Sequence, residues 1–160
     1  MSGARSTVTL DADKAVAMLA RVEAGAMNGL PLFTEIGSAL EASTRARIET
    51  TKTAPDGTPW LDLTPRWAAR KQKRGHAAGI LTMRGDLLNS IDGISSVGPN
   101  YVDIIAGPTE YAAIHQYGGT SDMPAGAAAI PARPYLGLSH DDVTEIDEAT
   151  EDWLRKLVAG

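Results

Sequence analysis

The chain contains no cysteine, and this absence constrains its fold more than any other feature of the sequence. Without thiols it has neither disulfides nor thiolate metal sites, so packing or partners must stabilise it. A length of 160 residues suits one domain with a substantial core, and we take residues 1–160 as that domain. Because phenylalanine occurs only once, the core is expected to consist mainly of Leu, Ile, Val and Ala. The opening MSGARSTVTL lacks the apolar run of a signal peptide, which predicts a soluble cytoplasmic protein with no membrane partner.

The charges are segregated along the chain. A net charge of −5 argues against a nucleic-acid-binding protein, because such domains usually carry a basic excess. A basic cluster and an acidic cluster nevertheless stand out: Arg66, Arg70, Lys71, Lys73 and Arg74 against Asp141, Asp142, Glu145, Asp147, Glu148, Glu151 and Asp152. The basic cluster is either a solvated helix face, which we favour, or a nucleic-acid contact, or a patch that binds the acidic cluster of a neighbouring copy. The last interpretation predicts head-to-tail association that salt weakens.

Two helices are predicted in the N-terminal third. The Ala-rich stretch from Asp11 to about Met27 has its apolar residues near helical spacing. Asn28-Gly29 interrupts it, and Pro31 opens a second helix that continues to about Thr51. The apolar side of this long helical element is expected to comprise Leu32, Phe33, Ile36, Leu40 and Ile48.

The middle of the chain alternates loops and short helices. Residues 51–65 hold three prolines and predict an ordered loop with Trp60, Leu61 and Leu63 packed against the core. A basic helix is predicted from Pro65 to about Arg74, ended by Gly75. A shorter helix follows Gly85, with a buried side formed by Leu87, Leu88 and Ile91.

The last third predicts a hairpin and a terminal helix. Residues 93–107 place two β-prone runs around Gly98-Pro99-Asn100, and residues 109–117 form a short helix that Gly118-Gly119 ends. Residues 120–129 are small and polar and predict a flexible loop. Ser139 and Asp142 make a capping box before an amphipathic helix whose apolar residues are Val143, Ile146, Ala149, Trp153, Leu154 and Leu157. The expected fold is α+β, with a small antiparallel sheet packed by several helices.

Catalysis and cofactor binding have little support in the sequence. The histidines, His76, His115 and His140, have no metal-binding spacing, no nucleotide-binding loop occurs, and we expect no cofactor. His115 is a conceivable general base that Asp103 or Glu110 orients, but no nucleophile accompanies it. The favoured interpretation is a structural histidine hydrogen-bonded to backbone. Carboxylates in the last helix more simply face solvent or a partner than form a catalytic pair.

Four stretches taken together point to a family. In order and spacing, GTPWLDLTPRW, ILTMRGDLLNSI, YVDIIAGPTEYAAIHQYGG and IPARPYLGLSHDD resemble the virion morphogenesis, or tail completion, proteins of Mu-like phages. The resemblance covers about Leu30 to the C-terminus and leaves residues 1–29 outside. The matching positions are Trp60, Leu81, Gly85, Leu88, Ser90, Ile91, Tyr111, Ala112, His115, Gln116, Gly118, Gly119, Pro131, Arg133, Pro134, Leu136 and Gly137. Tyr135 stands where the family often has Phe, so its hydroxyl needs a partner.

The resemblance implies a non-enzymatic structural protein that acts at the neck or tail end of the virion after assembly in the bacterial cytoplasm. Related proteins form rings, commonly sixfold, so a homo-oligomer is expected, with other neck and tail proteins as partners and DNA passing through without sequence-specific binding. The alternatives are a transient assembly factor absent from the mature virion and, least favoured, a small hydrolase that uses His115.

Arg133 is expected to hold the key position of the motif. Pro131 and Pro134 stiffen the chain on either side of it, and a guanidinium pairs well with a carboxylate or with carbonyls. We therefore expect Arg133 to lock a loop or a subunit boundary, with residues 120–129 ordering against a neighbour. On this hypothesis Arg133→Ala impairs assembly and leaves the monomer folded.

Overall fold

The computed structural model describes residues 12–76, 79–107 and 111–159. Helices dominate, and the predicted α+β class is confirmed. The helices are α1 (Asp13–Ala26), α2 (Leu30–Ala46) with a π-helical extension (Arg47–Thr51), α3 (Pro65–Lys73), α4 (Asp86–Asn89), α5 (Ala112–Tyr117), α6 (Ala125–Ala128) and α7 (His140–Ala159). The strands are β1 (Ile91–Asp92) and β2 (Ile105–Ala106).

The predicted hairpin exists, but little of it is regular strand. Its two strands are antiparallel and pair Ile91 with Ala106 and Asp92 with Ile105. Between them lies a single bridge from Val97 to Val102, next to the turn at Gly98. The expected short helix before Tyr117 begins at Ala112, and the predicted residues 109 and 110 lie outside the described residues. The loop at 120–129 contains the short helix α6, which the sequence did not predict.

The long helices form one half of the core. Leu32, Ile36 and Leu40 of α2 are buried, as their spacing predicts, and α7 packs on them through Ile146, Ala149 and Trp153. The C-terminal end of α1 reaches the far end of α7, where Gly25 lies against Leu157. No residue of α1 is buried, however.

The other half of the core lies under the loops and short helices. Trp60 is buried among residues of the π-helical extension, α4, β1 and α5, whereas Leu61 is 67% exposed, so its predicted packing was wrong. Leu87 and Ile91 are buried as expected. Ile104 contacts both halves of the core and joins them.

A buried ion pair connects the end of α2 to the start of α7. Arg47 Nη2 lies 2.9 Å from Asp142 Oδ2, and both side chains are almost fully buried. Arg47 Nη1 also donates to the carbonyl oxygens of Tyr135 and Gly137, at 2.6 and 3.2 Å. Asp142 completes the predicted capping box by accepting from the Ser139 amide and donating its own amide to the Ser139 hydroxyl. One guanidinium therefore fixes a helix terminus and the segment that precedes it.

We expect the Asp142 carboxylate to make stability pH-dependent. Burial raises its pKa, but hydrogen bonds from Ser43 and Ser139 and the Arg47 charge outweigh burial, so the pKa is lowered. The unfolded chain then binds the extra proton, and stability is lost as the pH falls below about 4. Asp142→Asn leaves Arg47 without its counter-charge and should cost about 3–5 kcal/mol at pH 7. Urea denaturation at pH 7 and at pH about 3 measures both effects.

The neighbouring Asp141→Asn provides the matched control, because the Asp141 carboxylate is exposed. Its cost should stay within about 0.5 kcal/mol at either pH. Equal losses for the two variants would contradict a special role for Asp142.

A close backbone contact fixes the hairpin on α2. A Cβ atom at Gly37 would overlap the carbonyl oxygen of Gly93. In Gly37→Ala this clash should cost about 1–3 kcal/mol, more than the roughly 0.5–1 kcal/mol that alanine gains over glycine in a helix. Gly126→Ala is the control, since its Cβ would meet nothing within 4 Å. Thermal denaturation should show a lower Tm for the first variant only.

Candidate functional site

The Gly-Gly pair turns the chain after α5 so that segment 130–137 returns alongside it. Gly118 has a φ of +83°, a conformation that favours glycine. A Cβ at Gly119 would overlap the carbonyl oxygen of Ala127, and the Gly119 amide donates to Ile130 at 2.9 Å. The two motif halves thus meet within one subunit.

The Gln116 side chain binds the returning backbone as a neighbouring strand would. Its Oε1 accepts from the amides of Tyr135 and Leu136 at 2.9 and 3.0 Å, and its Nε2 donates to the Leu136 carbonyl at 3.0 Å. Trp60 Nε1 donates to the Pro134 carbonyl, also at 3.0 Å. These side chains satisfy backbone groups that no sheet reaches.

Tyr135 is the most buried large side chain of the motif, at 1% exposure. Its hydroxyl donates to the Ala112 carbonyl at 3.0 Å, so the predicted need for a partner is confirmed. Burial, together with the nearby Tyr117, raises its pKa to about 12. Tyr135 is therefore an uncharged core residue that ties segment 130–137 to α5.

Arg133 locks a loop of its own subunit. Its Nε and Nη2 both donate to the Leu61 carbonyl, at 3.0 and 2.9 Å, and its amide donates to the His115 carbonyl at 2.7 Å. Burial lowers its pKa, which Asp62 partly offsets. Of the two expected roles, the structure contains the loop contact. Arg133→Ala is accordingly expected to destabilise the monomer as well, and it is not a clean test of assembly.

A groove of about 730 Å³ lies between α3, segment 81–87, α5 and segment 126–133. It is lined mainly by apolar side chains, including Leu63, Trp67 and Ile130. Several positions of the family motif meet on its walls: Leu81, Gly85, Tyr111, His115, Pro131 and Arg133. The motif thus serves two purposes, since Gln116, Trp60 and Tyr135 hold the backbone and the six positions just named line the groove.

His115 lies in the groove wall without the partners that the sequence predicted. Its ring packs edge-on against Tyr111, with the centroids 5.8 Å apart. Its Nδ1 is buried and has no hydrogen-bond partner in the described structure, so the expected bond to backbone is absent there. Burial and the charge of Arg133 lower its pKa, and the side chain is neutral at pH 7.

The acid/base interpretation of His115 loses one proposed partner. Asp103 lies on the hairpin and accepts a hydrogen bond from the Ser96 hydroxyl at 2.7 Å, so its assignment as the orienting residue was wrong. Glu110 lies outside the described residues. Over the described ranges no group of His, Cys, Asp and Glu could hold a metal ion.

The charge clusters are smaller than the sequence indicated. Lys71 is buried and its Nζ donates to the Gly79 carbonyl at 2.7 Å, while Asp142 is paired with Arg47. Lys71 lines the groove and Asp142 is paired inside the subunit, so neither belongs to the exposed charged faces, which corrects the predicted contact set. The basic residues Arg66, Arg70, Lys73 and Arg74 are exposed, and so are the acidic residues Asp141, Glu145, Asp147, Glu148, Glu151 and Asp152.

This fold and groove belong to a protein of phage particle assembly. Residues 10–155 match the phage virion morphogenesis family, and the chain belongs to it. It is 40% identical over 125 residues to the "Putative capsid assembly protein G" of Escherichia phage Mu, which covers 78% of this chain and 76% of that protein. It is also similar to two Mu-like prophage proteins of Haemophilus influenzae, FluMu G protein 1 (37% over 95 residues, 58% of each chain) and FluMu G protein 2 (27% over 148 residues, 92% and 94%).

The family match extends further than the motifs suggested. It begins at residue 10 and so includes α1, whereas the motif resemblance left residues 1–29 outside. No solved structure matches the chain. Within the described residues, no helix is both long and apolar enough to cross a membrane.

We expect the Gln116 amide to contribute measurably to the stability of the fold. Gln116→Ala leaves two amides and one carbonyl of the returning segment without a protein partner and should cost about 3 kcal/mol. Gln72→Ala on the exposed side of α3 is the control and should change stability by less than about 0.5 kcal/mol. Urea denaturation measures the stability of both variants, and similar midpoints for the two would contradict the structural role of the Gln116 amide.

Proposed function

We propose that this virion morphogenesis protein is a structural subunit that completes the tail or joins it to the head, as part of a ring around the DNA path. The observation that carries the proposal is the convergence of motif positions on one groove. Leu81, His115 and Arg133 come from three separate stretches of the motif, yet all three line it. Motif residues whose role was only to stabilise the fold would not need to surround a solvent-filled space.

The groove has the properties of a contact surface between proteins. Large exposed apolar patches on soluble proteins commonly mark sites of interaction with other molecules. Trp67, which is 40% exposed, lines the groove, and the Arg70 guanidinium lies 5.7 Å from its ring centroid. Tryptophan and arginine are the residues enriched at the energetic centres of interfaces.

The exposed charges support a multi-subunit assembly. Helix α3 carries three exposed basic residues and no acidic one, whereas α7 carries six exposed acidic and two exposed basic residues. Contacts between unlike helices of neighbouring copies give a head-to-tail arrangement, which closes into a ring when the rotation permits. An acidic surface that faces the channel would repel phosphate and let DNA slide.

A transient assembly factor is the second candidate, because the Mu relative is named a capsid assembly protein. It has the same folded groove but leaves the particle before completion. A hydrolase that uses His115 is the weakest candidate, since Asp103 lies elsewhere and Lys71 and Arg133 in the groove bind backbone carbonyls.

The experiment is deletion of the gene from an inducible Mu-like phage or prophage that encodes this chain. We expect electron microscopy to show separate filled heads and tails, and a plasmid copy of the gene to restore joined particles. Mass spectrometry of complete particles should detect several copies of the protein per virion. Its absence from otherwise complete virions would favour the transient factor, and normal joined particles after deletion would refute both assembly roles.

A further inference from the structure

We propose that the groove of one subunit binds one exposed face of α7 from a second copy. This face, the outer face of α7, consists of Val143, Asp147, Leu154 and Val158. The inference rests on the proposed multi-subunit function and identifies the contact that joins the subunits.

Two buried cations line the groove, together with three exposed charged residues, Asp62, Arg84 and Asp86. Lys71 and Arg133 are only 4% and 5% exposed, and both bind backbone carbonyl oxygens. Among the described residues, no carboxylate lies within 4 Å of either side chain. A buried charge is costly unless an opposite charge pairs with it. With three cations against two carboxylates in its lining, the groove keeps an excess of one positive charge, which a carboxylate of the ligand would balance.

The groove also requires an apolar ligand. Leu63, Trp67, Leu81, Met83 and Ile130 form much of its wall. Within the described part of the chain, the buried Nδ1 of His115 has no hydrogen-bond partner. The matching ligand is thus a mainly apolar segment with an acidic residue at one position, rather than a purely acidic one.

The outer face of α7 has this composition. Its residues are spaced by four, seven and four positions, which places them on one side of a helix. Val143, Leu154 and Val158 are 43%, 41% and 46% exposed, and Asp147 between them is exposed as well. An amphipathic helix laid into an apolar groove is a common mode of protein recognition.

The purely acidic side of α7 is a separate surface. The stripe of α7 that packs on α2 has the outer face along one edge and an acidic side along the other. This acidic side consists of residues at helical spacing, Asp141, Glu145, Glu148 and Asp152. Docking through the outer face would leave this acidic side free to face the DNA path. Helix α7 could then contact a neighbouring subunit through its outer face and face the channel with its acidic side at the same time.

The groove and the outer face of α7 share no residue, so the proposed contact joins two different surfaces, and we assign it as heterologous. Each subunit has one of each surface, and further copies add head to tail. If one variant has its groove blocked and a second has its α7 face blocked, a mixture of the two can form one contact only. In that contact the groove of the second variant binds α7 of the first.

We would test this with purified full-length protein by sedimentation velocity over roughly a hundredfold range of concentration. Gly126→Trp fills the groove from a position whose Cβ meets nothing within 4 Å. Leu154→Lys places a cation on the outer face and keeps an aliphatic stem for packing. We expect the wild type to self-associate, each variant alone to remain monomeric, and their equimolar mixture to form a heterodimer and nothing larger.

The matched control makes the same charge reversal at two adjacent residues of α7 that face different sides of the helix. Asp147→Lys should weaken self-association about tenfold or more, and Glu148→Lys, with the same change in charge, should not. Circular dichroism confirms that every variant is folded. A monomeric wild type at all concentrations, a mixture that stays monomeric, or equal effects of the two lysine variants would overturn the inference. The deletion phenotype would stand in each case, so a failed contact is distinguishable from a failed function.

Discussion

The buried guanidinium of Arg47 is the interaction on which the rest of the structure depends. It neutralises Asp142 at the start of α7 and holds the carbonyls of Tyr135 and Gly137 at the end of the returning segment. The helical half of the core and the loop-rich half are thereby connected through one charged side chain. Removing either partner of such a pair costs about 3–5 kcal/mol, a large share of the stability of a small domain.

Hydrogen bonds from side chains to backbone do the work that a larger sheet does in other folds. The strands have only two residues each, so most backbone groups of the loops find no ladder partner. Gln116, Trp60 and Arg133 satisfy several of them instead, at distances of 2.9–3.0 Å. These hydrogen bonds hold the loops in one conformation, as ladder hydrogen bonds hold strands, and so give the groove stable walls.

Local patterns in the sequence predicted the elements and missed their long-range partners. The buried stripe of α2 and the capping box of α7 follow from spacing alone, and both are confirmed. Arg47 lies 95 residues from Asp142, and no local signal distinguishes a buried arginine from a solvated one on a helix. The same holds for Lys71, which was assigned to an exposed cluster because its neighbours in the sequence are exposed.

The candidate site was predicted as a set of residues but not as a shape. The motif named Tyr111, His115 and Arg133, which the structure places around one groove. The groove itself forms only because α3 and segment 81–87 pack opposite them, an outcome of tertiary contacts. A signal was present in retrospect, since the apolar Trp67 stands among basic residues on α3, where a purely solvated helix would not need it.

The way in which segment 130–137 is held has a consequence for how this protein tolerates change. Apart from the side-chain hydrogen bonds of Arg133 and Tyr135, its neighbours bind its carbonyls and amides, which every residue possesses. The conformation of the segment consequently depends on residues elsewhere in the chain, namely Arg47, Trp60 and Gln116. Its outward-facing residues are left free to vary, so one rigid scaffold can present different chemistry to different partners without being refolded.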